Sequence, residues 1–146
     1  MPDFPREPAA LAAFFEKHGE DRLPGLLGIN VAELTEGRSR LTMEVESKHY
    51  ASNGYLHAAS VIALADTACG YGCVASLPEG ASGFTTLELK CNHVGTILSG
   101  VLEAEATLVH GGRTTQVWDA VVTSVEGGKK IALFRCTQLI LYPASR

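Results

Sequence analysis

The stretch "NGYLHAASVIALADTACGYG", residues 53–72, decides how the rest of the chain is read. Val61, Ile62, Leu64, Ala65, Ala68, Cys69 and, just beyond, Val74 leave it almost no polar face. A helix that is apolar on nearly all sides belongs inside a core, and the spacing predicts one over 58–76. Yet Asp66 stands in its middle, the one charged residue between His57 and Glu79. Burying an ionised carboxylate there costs on the order of several kcal/mol unless it is paired or hydrogen-bonded. Three arrangements resolve the conflict: an internal partner, a solvent-facing position, or a functional cleft in which its pKa is raised.

The flanks of this helix read as strands. "INVAELTEGRSRLTMEVES" (29–47) suggests two strands around a Glu36-Gly37 turn, with Leu41, Met43 and Val45 on one face and Thr42, Glu44 and Glu46 on the other. After the turn-rich "LPEGASG" come "FTTLELKCNHV", "GVLEAEATLVH", "RTTQVWDAVVTSV" and "KKIALFRCTQLIL", separated by "GTILSG", "GG" and "EGG". Long strands joined by short glycine turns imply an antiparallel meander. Residues 6–18 suggest a short helix with Pro8 in its first turn and Gly19 at its end; 20–28, with Pro24, Gly25 and Gly28, read as loop. The expected fold is therefore α+β, a curved six-stranded antiparallel sheet wrapped around one long central helix. One domain is expected over 1–146, with 1–28 as an N-terminal helix and loop. Long edge strands need pairing, so a dimer is expected.

Bulk properties narrow the function. A net charge of −4 gives no electrostatic reason to expect nucleic acid. The start "MPDFPREPAALAAFF" has no basic region followed by an apolar core, so a signal peptide is not expected. Asp66, Gly70 and Gly72 interrupt the most apolar stretch, and no membrane span is expected. Cys69, Cys73, Cys91 and Cys136 form no CxxC pair and read as buried reduced thiols, which suits the cytoplasm. Cys91, His93 and His110 offer zinc-ligand types without a second tight pair, so no metal is expected.

The helix start carries a second feature. Small residues follow His57, which leaves first-turn N–H groups accessible at the positive end of the helix dipole. Such donors suit a carbonyl oxygen as it becomes an oxyanion. Asp66 follows Ala58 by eight residues, about 12 Å along a helix, too far to serve a carbonyl held at its own helix start. Across a dimer, one subunit supplies the donor and its partner the acid.

These residues resemble the hotdog-fold acyl-CoA thioesterases, in particular the phenylacetate-pathway (PaaI-like) subfamily. Its approximate pattern is Asn or Gln, then Gly-x-x-His-Gly-Gly, then an acid nine positions after the histidine. "GYLHAASVIALAD" supplies Gly54, His57 and Asp66 at that spacing, and the resemblance covers roughly residues 30 to 141. It implies hydrolysis of acyl-CoA to free acid and CoA, with Asp66 as base or nucleophile and the Ala58 N–H polarising the carbonyl. His57 would shape the turn and contact the thioester region. Thr86, or its neighbour Thr85, aligns with a hydroxyl position that orients water. Asn53 and Gly54 would lie against substrate. The family's hotdog dimers, often paired into tetramers, place active sites at the dimer interface. No metal or redox cofactor is implied, CoA being part of the substrate.

Three departures stand out. His-Gly-Gly is His-Ala-Ala here, but a backbone donor survives that change. The amide position fifteen residues before the acid falls on Ala51, with Asn53 or Ser52 nearby as stand-ins, and "VGT" at 94–96 replaces an Arg-Pro. Arg113, Lys129, Lys130 and Arg135 are candidate cations for the CoA phosphates, and Phe84, Tyr71, Tyr55 and Trp118 are candidate pocket aromatics, although solvated charge and ordinary core are the commoner roles for such residues. Two other functions fit the pattern: an acyl-thioester hydratase or dehydratase using His57 and Asp66 for proton transfer, and a non-catalytic acyl-CoA binding module.

Overall fold

The computed structural model describes residues 3–144. Helix α1 (Pro8–Gly19) begins two residues later than expected because Glu7 is its cap, accepting from the Ala9 and Ala10 N–H groups at 3.1 and 2.9 Å. The segment read as loop contains one helical turn, α2 (Leu23–Leu26), and a 3-10 turn at Ser47–His49 follows the first hairpin. That hairpin is β1 (Ile29–Thr35) and β2 (Arg38–Glu44), and Gly37 takes the positive φ of +78° that its turn demands. The central helix is α3 (Ala58–Ala75). Four strands follow: β3 (Gly83–His93), β4 (Val101–Gly111), β5 (Thr115–Ser124) and β6 (Lys130–Leu141).

All neighbouring strands are antiparallel, in the order β1-β2-β4-β5-β6-β3. The meander expectation needs correction at one point. β4, β5 and β6 form a meander, but β3 pairs with β6 at the sheet edge, and "GTILSG" is a crossing strap. The Val94 and Gly95 N–H groups bond the Ile131 carbonyl, and the Gly100 carbonyl accepts from Val45 beside β4. A Cβ at Gly95 would stand 2.5 Å from the Lys130 carbonyl, so only glycine lets the strap pass this close to β6.

α3 is long and apolar enough to cross a membrane by composition, but ten of its eighteen residues are buried in the fold. Gly72 sits over the fully buried Trp118, where a Cβ would come within 2.7 Å of the ring. Gly70 meets the Phe84 ring in the same way at 3.0 Å. The Ser39 hydroxyl donates to the Ala68 carbonyl at 2.6 Å. Trp118 donates to Gln116, whose amide donates in turn to the Ser76 carbonyl at 2.7 Å and closes the C-terminal end of the helix. Trp118 and Phe84 therefore pack the core, Tyr71 stacks on Phe15 at 3.8 Å, and Tyr55 is exposed.

Candidate active site

His57 caps α3: its Nδ1 accepts from the Ala59 N–H at 2.9 Å, which places the neutral ring's proton on Nε2. The Ser60 N–H bonds the His57 carbonyl at 3.0 Å. Among the described residues the Ala58 N–H has no partner, and Ala58 itself is exposed. The first turn thus presents one unspent donor at the positive end of an 18-residue helix.

Asp66 is half-buried, and its Oδ1 is buried with no hydrogen-bond partner. Burial without a compensating donor pushes its carboxyl above the ordinary value of 3.8. Its direction follows from its neighbours. Gly70, one turn later, meets Phe84 of β3. Thr86 lies two residues beyond Phe84 on the same face, and β3 runs antiparallel to α3. One helical turn (about 5.4 Å) and two strand residues (about 6.8 Å) nearly match, so Asp66 and Thr86 lie at the same level. Register separates the two threonines: Thr86 pairs with the buried Gln138 on the helix-facing side, whereas Thr85 pairs with Leu139 on the outer side. A bulge at Leu87 follows.

Among the described residues β3 has no partner beyond β6, and it leaves Leu87 58% and Leu89 41% exposed. The opposite edge differs. There α1 packs on β1, and Glu33 reaches Arg38 and Arg40 in ion pairs of 3.4 and 3.5 Å.

The remaining candidates are scattered. Asn53 and Gly54 lie in the exposed loop before His57; the Asn53 side-chain Oδ1 accepts from the Tyr55 N–H at 3.2 Å, and Gly54 has φ +85°. Ala51 lies in the same loop, its N–H bonded to the Tyr55 carbonyl at 2.7 Å. Lys129, bonded to the Thr96 carbonyl at 2.9 Å, and Lys130 sit at the donor end of α3. Arg113 lies at the opposite end, 5.4 Å over the Tyr142 ring. Arg135 is committed to Asp119 through bonds of 2.5 and 2.8 Å on the outer face, and holds that carboxyl below its ordinary value. Cys91 and His93 on β3 are separated from His110 on β4 by β5 and β6, on the order of 14 Å. Two of the buried thiols are pushed up: Cys69 by its hydrogen bond to Cys136, and Cys73 by burial to about 12.

Sequence reasoning missed His49, which is fully buried and whose carbonyl accepts from the His57 N–H and the Ser60 hydroxyl. Between Lys48 and Tyr50 it carries no periodic signal.

Residues 53–131 match the family model described as Thioesterase superfamily. The chain belongs to that superfamily. Thioesterase relatives cover most of the chain. The 1,4-dihydroxy-2-naphthoyl-CoA hydrolase of Listeria monocytogenes is 32% identical over 111 residues, covering 76% of this chain and 89% of the relative. The acyl-coenzyme A thioesterase PaaI of Escherichia coli is 32% identical over 110 residues, 75% of each. A mutant thioesterase from Pseudomonas aeruginosa superposes with a TM-score of 0.82 at 25% identity, covering 97% of this chain and 95% of that one. The thioesterase fold is thus the hotdog arrangement expected from the sequence, and the chain is a hydrolase of the thioesterase class.

Proposed function

We propose that this thioesterase hydrolyses acyl-CoA to free acid and CoA in a site shared between two subunits. The carrying observation is the buried Asp66 Oδ1 without a hydrogen-bond partner, on a helix whose Gly70, one turn on, packs against Phe84 of the edge strand β3. A carboxylate so placed has spare acceptor capacity, and partial burial strengthens it as a base. Pairing two β3 edges antiparallel covers Leu87 and Leu89 and sets the α3 helices antiparallel. Asp66 of one subunit then faces the donor end of its partner, which spans the separation of about 12 Å within one helix.

Asp66 acts as general base or as nucleophile. As base it takes a proton from water while the oxygen attacks the thioester carbon; the C–S bond breaks, and the proton passes to the CoA thiolate. As nucleophile its carboxylate oxygen attacks the thioester carbon and the C–S bond breaks to expel CoA thiolate. Water then cleaves the acyl anhydride to the free acid and the Asp66 carboxylate, and the proton released passes to the thiolate. The Ala58 N–H donates to the carbonyl oxygen as negative charge develops. The His57 Nε2–H is a second donor at the same end, and Thr86 orients the water. Asn53 and Gly54 line the entrance, and Lys129 and Lys130 are better placed than the paired Arg135 for CoA phosphates. Arg113 reaches this region only from the partner's opposite helix end. The reading requires no cofactor beyond the CoA of the substrate. Four free thiols suit a reducing cytoplasm, and the dimers are expected to pair into tetramers.

The test is a panel of aryl- and alkyl-CoA esters assayed for free thiol. Thiol release that disappears in Asp66→Ala supports hydrolysis. Ester binding without turnover makes the protein a binding module, and turnover of an enoyl-CoA without thiol release makes it a hydratase.

A further inference from the structure

We infer that His49 is the positioning residue that aims the Ala58 donor, resting on the reading that this N–H polarises the thioester carbonyl. His49 closes the 3-10 turn after β2 and is 0% exposed. Both ring nitrogens are spent. Nδ1 accepts from the Glu46 N–H at 2.9 Å, so it carries no proton; Nε2 therefore bears the hydrogen and donates to the Leu27 carbonyl at 2.8 Å. Only the neutral Nε2–H form fits, since a cationic ring would set two N–H donors face to face at Glu46. The ring thereby joins the end of α2 to the turn and fixes where the His49 backbone lies. A leucine would fill much the same space but leave the Glu46 N–H and the Leu27 carbonyl without these partners.

The backbone carbonyl of His49 then does the aiming. It accepts from the His57 N–H at 2.9 Å and from the Ser60 hydroxyl at 3.0 Å. These groups lie one residue before and two residues after Ala58, so the first turn is pinned on both sides of it. The His57 ring holds the Ala59 N–H, and the His57 carbonyl holds that of Ser60. Every neighbouring donor is committed, and the Ala58 N–H alone is left, in a fixed direction. A single donor misplaced by about 1 Å is enough to cost a rate factor on the order of a hundred.

The experiment uses the full chain. In His49→Leu, kcat is expected to fall about 100-fold with KM within about twofold, because the donor acts on charge that develops only in the transition state. In His49→Asn, whose amide oxygen can accept from the Glu46 N–H, kcat is expected to recover to within about tenfold of the parent. If both variants melt earlier yet keep the parent kcat per folded site, or if Asn rescues nothing, His49 is structural only. Ser60→Ala leaves the buried ring intact and serves if His49→Leu does not fold: unchanged kcat there overturns the inference, and a fall of about tenfold supports it. Nitrogen-15 NMR separates this inference from the functional reading. Failure of the parent to release thiol from any ester defeats the reading. A protonated His49 Nδ1 in the parent, or an Ala58 amide resonance unmoved by His49→Leu or Ser60→Ala, defeats the positioning role whether or not thiol is released.

Discussion

The two halves of α3 are built to opposite rules. From Thr67 to Ala75 polar groups are met and space is filled: Ser39 bonds the Ala68 carbonyl, Gln116 bonds the Ser76 carbonyl just past the end, and Gly70 and Gly72 admit the Phe84 and Trp118 rings. From Ala58 to Asp66 the helix keeps one free N–H and one buried carboxylate oxygen without a partner. The anchored half makes the other half's unmet valences affordable. Along α3, the proposed chemistry sits where the fold leaves a donor and an acceptor unsatisfied.

The largest effect should come from the unsatisfied half. Asp66→Asn is expected to lower turnover about a thousandfold while retaining the fold, measured as kcat for thiol release. Its stability effect has a definite sign. Burial raises the folded-state pKa of Asp66 above its unfolded value, so the folded protein binds this proton more tightly and stability falls as pH rises between the two values. Asn carries no such penalty, so the variant should melt higher than the parent at neutral pH. That gain should shrink towards zero below about pH 3, under the ordinary carboxylate range. The parent's kcat/KM should rise with pH through the same folded-state value.

Next in size is Ala58→Pro. Proline is accepted at the first helical position and the preceding His57 is extended, with ψ 132°, so the exchange removes the N–H and little else. A loss of about 100-fold in kcat with an unchanged melting temperature is expected. The smallest catalytic effect belongs to the anchored half. Gly72→Ala forces a methyl against Trp118 and should cost about 1–3 kcal/mol in denaturant unfolding, with kcat of the folded enzyme intact. A reversed pattern, with Gly72→Ala impairing kcat and Ala58→Pro impairing only stability, would dissolve the contrast.

Much of the scaffold was legible because it repeats. Alternation marked β2, all-round apolarity marked α3, and Glu36-Gly37 marked the first turn. The position of β3 was not legible, because "GTILSG" looks like any glycine turn and its crossing is set by distant bonds to Ile131 and Val45. The acid and the donor stood out against a charge-free helix. Thr86 and Thr85 required the strand register to be told apart, and His49 required the structure outright, since its role runs through a backbone carbonyl that every residue has.

Subunit complementation addresses the shared site most directly. Asp66→Asn and Ala58→Pro proteins, each inactive alone, are unfolded together, refolded as an equal mixture and assayed for thiol release. If acid and donor come from different subunits, each mixed dimer carries one doubly altered site and one intact site. Statistical mixing of dimers should then restore roughly a quarter of the parent activity. A mixture that contains mixed dimers by native mass spectrometry yet stays as inactive as its components would contradict the shared site.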